Sequence, residues 1–206
     1  MGNNVSKHHS DSLYYECLAK IILENRFKTW NLEVFDRPDL QDNINKIGIE
    51  VTRILPEGCN QAISLMNSGK IIDGKLKDEG YDLYMRGFLR HPTKEWERGK
   101  PFPTFNYLIN GIKNKIEKIK NYRKDYKEID LFVFTDNLDL DNDTIAVIFS
   151  KISEINNGTF DSIFISACYK VFHLELDYAG SYEINIDEFN SYQEYALEME
   201  EDIKNE

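Results

Sequence analysis

The segment that most constrains the fold is Ile129–Thr135, a seven-residue run that is apolar except for Asp130 and Thr135. Such a run is typical of a strand buried on both faces, as in a parallel sheet. Apolar residues recur at helical spacing on both sides of it, over residues 105–127 and 144–156. Strands that alternate with helices favour a layered α/β architecture around a central sheet.

The remaining segments predict further helices and strands around this unit. Residues 11–25 read as a helix, residues 30–40 as a strand that ends near a proline, and Gln41–Lys46 as a polar turn. Residues 47–55 form a clear strand, and residues 56–104, with six glycines, read as an insertion. Later segments predict strands at 162–168, 171–176 and 182–186, followed by a helix that ends the chain.

Charge divides the chain unevenly. The net charge is −11, but residues 175–206 hold eleven acidic residues against one lysine, so the rest of the chain is close to neutral. Residues 113–127 carry seven Lys and Arg against two acidic residues. Because affinity for nucleic acid comes largely from Lys and Arg, this basic segment predicts contact with phosphate. Residues 177–206 are predicted to form a separate acidic strand and helix.

Other features of the sequence limit the class of protein to which this chain can belong. No apolar run reaches the roughly 18 residues of a membrane helix, and no secretory signal is evident, so we expect a cytoplasmic protein without membrane contact. Residues 1–10 are polar and are expected to be disordered. Three scattered cysteines, Cys17, Cys59 and Cys168, fit reduced thiols better than disulfides or zinc ligands.

Two acidic residues lie where they could share a metal ion. Asp39 follows Pro38 at the end of one predicted strand, and Glu50 lies eleven residues later, on the polar face of the next. If these strands pair, the two carboxylates converge at one edge of the sheet. Carboxylates suit Mg²⁺ (or Mn²⁺), and the backbone carbonyl of Val51 is a further candidate ligand. The simpler alternatives are that Asp39 caps a turn and that Glu50 lies on a solvated strand face.

Pro38-Asp39 followed by Glu50-Val51-Thr52 resembles the PD…(D/E)-x-K signature of the restriction-endonuclease-like nucleases. The predicted helix, hairpin, helix and strand around it agree with that superfamily over residues 11–176. The resemblance implies a mixed central sheet flanked by helices, with Asp39 and Glu50 as metal ligands. It also implies a divalent-metal-dependent nuclease. We expect DNA to be favoured over RNA as the substrate, and we expect the insertion at residues 56–104 to contact it.

One position departs from the signature, because Thr52 stands where the superfamily has lysine. The resemblance implies that a lysine from a neighbouring helix can take that role. At 100° per residue, Lys115 lies about 60° from the centre of the apolar stripe of the 105–127 helix, and Lys113 and Lys118 lie about 100–120° away. We therefore predict Lys115 as the displaced catalytic lysine. The predicted phosphate contacts are Lys113, Lys118, Arg123 and Lys124, unless this basic stripe is only the solvated face of the helix.

Glu16 resembles the acidic residue that many superfamily members carry on their first helix, although it could be only a solvated side chain. The C-terminal helix has an apolar stripe of Phe189, Tyr192 and Met199, which predicts a homodimer contact or a guard over the cleft. Two non-catalytic alternatives stay open. One is an inactive nuclease fold that binds nucleic acid or protein, and the other is a regulator whose acidic tail mimics nucleic acid.

Overall fold

The computed structural model describes residues 10–55, 105–119, 126–135, 140 and 142–205. Within these residues the chain forms an α/β structure in which four helices flank a seven-stranded mixed sheet. None of these helices combines the length and the apolar character needed to cross a bilayer. Most of the predicted disordered N-terminus and all of the predicted insertion at 56–104 lie outside the described residues.

The helices and most of the strands lie close to their predicted positions. The predicted strand at 30–40 is wrong over most of its length, because only Glu33–Val34 and Leu40 of that range lie in strands. The helices are α1 (Ser10–Arg26), α2 (Asn106–Ile119), α3 (Asn142–Asn156) and α4 (Ile186–Asn205). The strands are β1 (Glu33–Val34), β2 (Leu40–Asp42), β3 (Ile47–Arg53), β4 (Glu128–Thr135), β5 (Ile163–Ala167), β6 (Lys170–Leu174) and β7 (Ala179–Glu183).

The strands lie in the sheet in the same order as in the chain, from β1 at one edge to β7 at the other. The central pairs β3–β4 and β4–β5 are parallel, and the outer pairs are antiparallel. This mixture follows from the connections, because α2 and α3 cross over between the parallel strands whereas short turns join the antiparallel ones.

Helices cover both faces of the sheet and divide the core in two. On one face, Leu131 of β4 packs with the buried stripe of α2, including Leu108 and Ile112, and with α3. On the other face, Phe132 packs with Phe164 of β5 and with α1 and α4. The near-continuous apolar run of β4 thus reflects burial on both sides, as its sequence predicts.

The predicted turn from Gln41 to Lys46 is wrong in its first two residues. Gln41 and Asp42 belong to β2, which pairs with β3, whereas β1 pairs with β2 rather than with β3. Both side chains are polar but buried, because each has hydrogen-bond partners that replace water. Gln41 donates to the carbonyls of Arg37 and Pro38.

Asp42 shows why a polar residue fits inside this hairpin. Its side chain is fully buried, and its two carboxylate oxygens accept four hydrogen bonds. Three come from the backbone N–H groups of Asn31, Ile44 and Asn45, and the fourth comes from the side chain of Asn45. The carboxylate therefore organises the β2–β3 turn and ties it to the segment before β1.

The acidic helix α4 is docked against the body of its own chain. Tyr192 is buried, and Phe189 and Met199 pack beside it in the core that α1 and α4 share. Glu194 and Glu198 are exposed. The predicted apolar stripe is thus used within the monomer, and a homodimer through α4, which stays a prediction, would have to use the outer face of this helix.

Asp130 is a buried carboxyl group in the middle of the sheet. Its Oδ1 accepts the N–H of Ser162 at 2.9 Å, whereas its Oδ2 is buried and has no hydrogen-bond partner among the described residues. Burial, followed by the negative charge of Glu128, raises the pKa of Asp130 well above its usual value. The folded protein therefore holds the proton of Asp130 to a higher pH than an ordinary aspartate does.

We expect Asp130→Asn to become more stable relative to the wild type as the pH rises. The unfolded chain ionises Asp130 near the usual aspartate pKa of about 4, whereas the folded protein retains the proton to higher pH. Unfolding then releases a proton, so wild-type stability falls as the pH rises from that value towards the raised folded pKa. The relative gain should be on the order of 1 kcal/mol or more, because each unit of difference between the folded and unfolded pKa corresponds to about 1.4 kcal/mol.

Urea unfolding of both proteins at pH 5 and pH 8 measures this difference directly. The matched control is Asp177→Asn, because Asp177 is exposed and its substitution should leave the pH dependence unchanged. An equal stability difference between Asp130→Asn and the wild type at both pH values would contradict a raised pKa of Asp130.

Candidate active site

The candidate site lies where β2, β3 and α2 meet, towards the carboxyl end of β3. The β2–β3 register pairs Leu40 with Ile49, so that Asp39, just before β2, comes next to Glu50. Glu50 in turn pairs with Leu131 of β4, which packs under α2. The carboxyl ends of parallel strands are where open α/β sheets commonly bind ligands.

Asp39 is fixed to the strand that carries Glu50. Its Oδ2 accepts the backbone N–H of Val51 at 2.7 Å. This bond joins residues twelve positions apart, so the carboxylate links β3 to the segment before β2 rather than only capping a local turn. The half-buried Asp39 side chain is thereby held beside the residue that follows Glu50.

Lys115 reaches the same place from α2. Its Nζ donates to Glu50 Oε2 at 3.2 Å and lies 3.4 Å from the carbonyl oxygen of Val51. The side chains of Lys115 and Glu50 are only 23% and 11% exposed. Lys113 and Lys118 on the same helix are exposed. Lys115 is therefore more buried than these two lysines, as the helical geometry predicts. Arg123 and Lys124 lie outside the described residues.

The pKa of Asp39 shows how the neighbouring charges act on the site. Burial, followed by the charge of Glu50, raises the pKa of Asp39 to about 7, and the charge of Glu16 adds to this rise. The hydrogen bond from Val51 and the charge of Lys115 act in the opposite direction. Because the charges of Glu50 and Glu16 raise the pKa of Asp39 and that of Lys115 lowers it, a further cation beside Asp39 would favour its ionised form.

The donor set fits a hard divalent cation that retains water ligands. Mg²⁺ is usually held by one or two carboxylates, with water and phosphate in its other positions. Asp39, Glu50 and the carbonyl of Val51 supply oxygen donors of this kind. In the part of the chain that the structure describes, no three His, Cys, Asp or Glu side chains are arranged to hold a metal.

Glu16 therefore influences Asp39 without forming a three-carboxylate cluster with Asp39 and Glu50. Its side chain is half-buried on α1, where Ser12 Oγ donates to its Oε1 at 2.5 Å. Its charge contributes to the raised pKa of Asp39. This placement is compatible with an indirect role at the site, and the catalytic role of Glu16 stays a prediction.

Gly111 is a residue of this region that the sequence reasoning did not single out. It lies one helical turn before Lys115, and a Cβ on Gly111 would come within 2.6, 2.7 and 2.9 Å of three side-chain atoms of Ile54. The missing side chain thus lets α2 approach Ile54, the residue that follows β3, closely. A glycine inside an otherwise strong amphipathic helix was the available signal.

We expect Gly111→Ala to destabilise the protein, although alanine alone would favour the helix by about 1 kcal/mol. Overpacking against buried Ile54 costs about 1–3 kcal/mol, and the shift of α2 should also displace Lys115. Chemical unfolding and cleavage assays measure the two effects. Adding Ile54→Ala creates space, so the double variant should lose less stability than the two single losses combined. If the stability losses of the two single variants simply add in the double variant, a Cβ at position 111 does not clash with Ile54.

Comparisons of this chain with protein-family models, with curated proteins and with solved structures found no match. The central geometric fact is that residues from three separate segments meet at the candidate site: Asp39 before β2, Glu50 on β3 and Lys115 on α2.

Proposed function

We propose that this protein is a divalent-metal-dependent nuclease that hydrolyses phosphodiester bonds, with DNA favoured over RNA. The observation that carries the proposal is the position of Lys115, whose ammonium contacts the Glu50 carboxylate and the Val51 carbonyl. A lysine beside the second acidic residue is what the PD-(D/E)XK signature requires, and here the lysine comes from α2 instead of position 52.

Each residue of the site has a definite task in this proposal. Asp39, Glu50 and the Val51 carbonyl would hold Mg²⁺ or Mn²⁺, which when bound lowers the pKa of water and offsets the charge of the phosphate. Lys115 orients the attacking water and places a positive charge beside the scissile phosphate. Lys113 and Lys118, exposed on α2, would contact the phosphate backbone and position the substrate.

The architecture is compatible with a restriction-endonuclease-like fold, which we propose on the same grounds. An antiparallel hairpin carries the acidic residues, and a helix and a parallel strand follow it. In this proposal residues 56–104 form the insertion after the hairpin and contribute further substrate contacts. The alternative of an inactive binding module has less support, because a lysine lies beside Glu50 although position 52 is threonine.

The proposal is tested by incubating the purified protein with supercoiled plasmid and with single-stranded RNA. We expect nicking or linearisation of the plasmid with Mg²⁺ or Mn²⁺, none in EDTA, and slower cleavage of RNA. Equal cleavage in EDTA would contradict the metal dependence. Binding of DNA without cleavage under any of these conditions would favour the inactive module.

A further inference from the structure

The same two oxygen atoms that would bind a metal ion are already in contact with a cation. The Nζ of Lys115 lies 3.2 Å from Glu50 Oε2 and 3.4 Å from the Val51 carbonyl oxygen. The Glu50 carboxylate is largely buried, and a buried carboxylate without a counter-charge is strongly disfavoured. The ammonium therefore supplies the positive charge that Glu50 needs in this conformation.

An ammonium in this position opposes the entry of a second cation. A divalent ion shared by Glu50 and the Val51 carbonyl would lie within a few ångströms of the Lys115 nitrogen. Like charges at that distance repel strongly where water is largely excluded. Only Asp39, which accepts the Val51 N–H, has no hydrogen bond to the ammonium among the contacts described.

We propose that Lys115 is an internal cation that exchanges with the divalent metal at Glu50 and Val51. In the metal-free protein its ammonium neutralises Glu50 and holds the Val51 carbonyl. When the metal binds, the ammonium leaves the Val51 carbonyl and becomes available to the substrate. The inference rests on the proposed function, since it assigns the order in which the metal and the lysine occupy that site.

The test is the affinity of the nucleic-acid-free protein for Mn²⁺, measured by isothermal titration calorimetry. Lys115→Met keeps most of the aliphatic stem and removes the charge. We expect its dissociation constant to be at least about tenfold lower than that of the wild type, because the competing charge is gone. Lys151→Met is the matched control, since Lys151 is exposed on α3 and its substitution should leave the affinity for Mn²⁺ within about twofold of wild type.

Thermal unfolding tests the exchange between Lys115 and the metal independently. In EDTA, Lys115→Met should melt below the wild type because Glu50 has lost its counter-charge, and Mn²⁺ should raise its melting temperature more than that of the wild type. Lys115→Gln is a second uncharged variant for which the same pattern is expected. Failure of both variants to fold even with Mn²⁺ present would contradict the exchange, because the added ion should then replace the ammonium.

The outcomes separate this inference from the proposed function. If the wild type binds Mn²⁺ and cleaves DNA but neither Lys115 variant binds Mn²⁺ more tightly, the exchange is wrong and the nuclease proposal stands. If neither the wild type nor the variants bind Mn²⁺, and no cleavage is seen, both are overturned.

Discussion

Replacement of Glu50 by glutamine is expected to lower the rate of metal-dependent plasmid cleavage by about a thousandfold or more, equivalent to about 4 kcal/mol in the activation free energy. Glutamine has nearly the same shape, so the packing of β3 against α2 is retained. The change removes the negative charge that would bind the metal and that contacts the Lys115 ammonium at 3.2 Å. Initial rates of plasmid nicking at saturating Mg²⁺ measure the loss.

The matched control for this variant is Glu154→Gln. Glu154 is exposed on α3, so this variant should cleave plasmid at the wild-type rate. Circular dichroism and thermal unfolding show whether Glu50→Gln is folded, since Lys115 loses its ion-pair partner in that variant. Undiminished cleavage by a folded Glu50→Gln protein would mean that the activity comes from another site or from a contaminating enzyme.

Removal of the Lys115 charge is expected to slow cleavage by about 10²–10⁴-fold, the usual contribution of a positioned acid–base group. The physical reason is that its ammonium is the charged group that α2 brings to Glu50 and Val51. In Lys115→Met the turnover should therefore fall while the affinity for Mn²⁺ rises. A lysine with only a structural role would not produce this opposite change in two measurements.

Single-turnover cleavage at saturating Mn²⁺ measures the effect without interference from metal affinity. Lys151→Met again serves as the control, with a rate close to that of the wild type. Should Lys115→Met cleave as fast as the wild type, the displaced lysine would be misassigned. The exposed Lys118 would then be the next candidate on α2.

The sequence was sufficient to predict the direction of a side chain where the residue pattern reflects a single burial environment. Alternation along β3 placed Glu50 opposite the face of Ile49, and the apolar stripe of α2 placed Lys115 inward of Lys113 and Lys118. Both patterns have a fixed geometric period, so the direction of a side chain follows from its number. The contact between Lys115 and Glu50 combines these two predictions.

The sequence was insufficient where long-range hydrogen bonds decide the structure. Gln41 and Asp42 read as a turn because they are polar, and only their partners make β2 possible. Likewise, β7 (Ala179–Glu183) comes earlier than the predicted 182–186 strand, because it pairs with β6 from Ala179 onwards and α4 begins at Ile186. Neither partner is visible from local composition.

A sheet whose strands follow chain order has a consequence for how such a protein can diversify. Each strand is aligned mainly by the strand next to it in the chain, so a long excursion between two of them need not change any other register. A long stretch of chain separates Arg53, the last residue of β3, from Asn106, the first residue of α2, yet all seven residues of β3 pair in parallel with β4. In the proposed nuclease, exchange of the residues between β3 and α2 would change the substrate contacts without changing the strand register that places Asp39 beside Glu50.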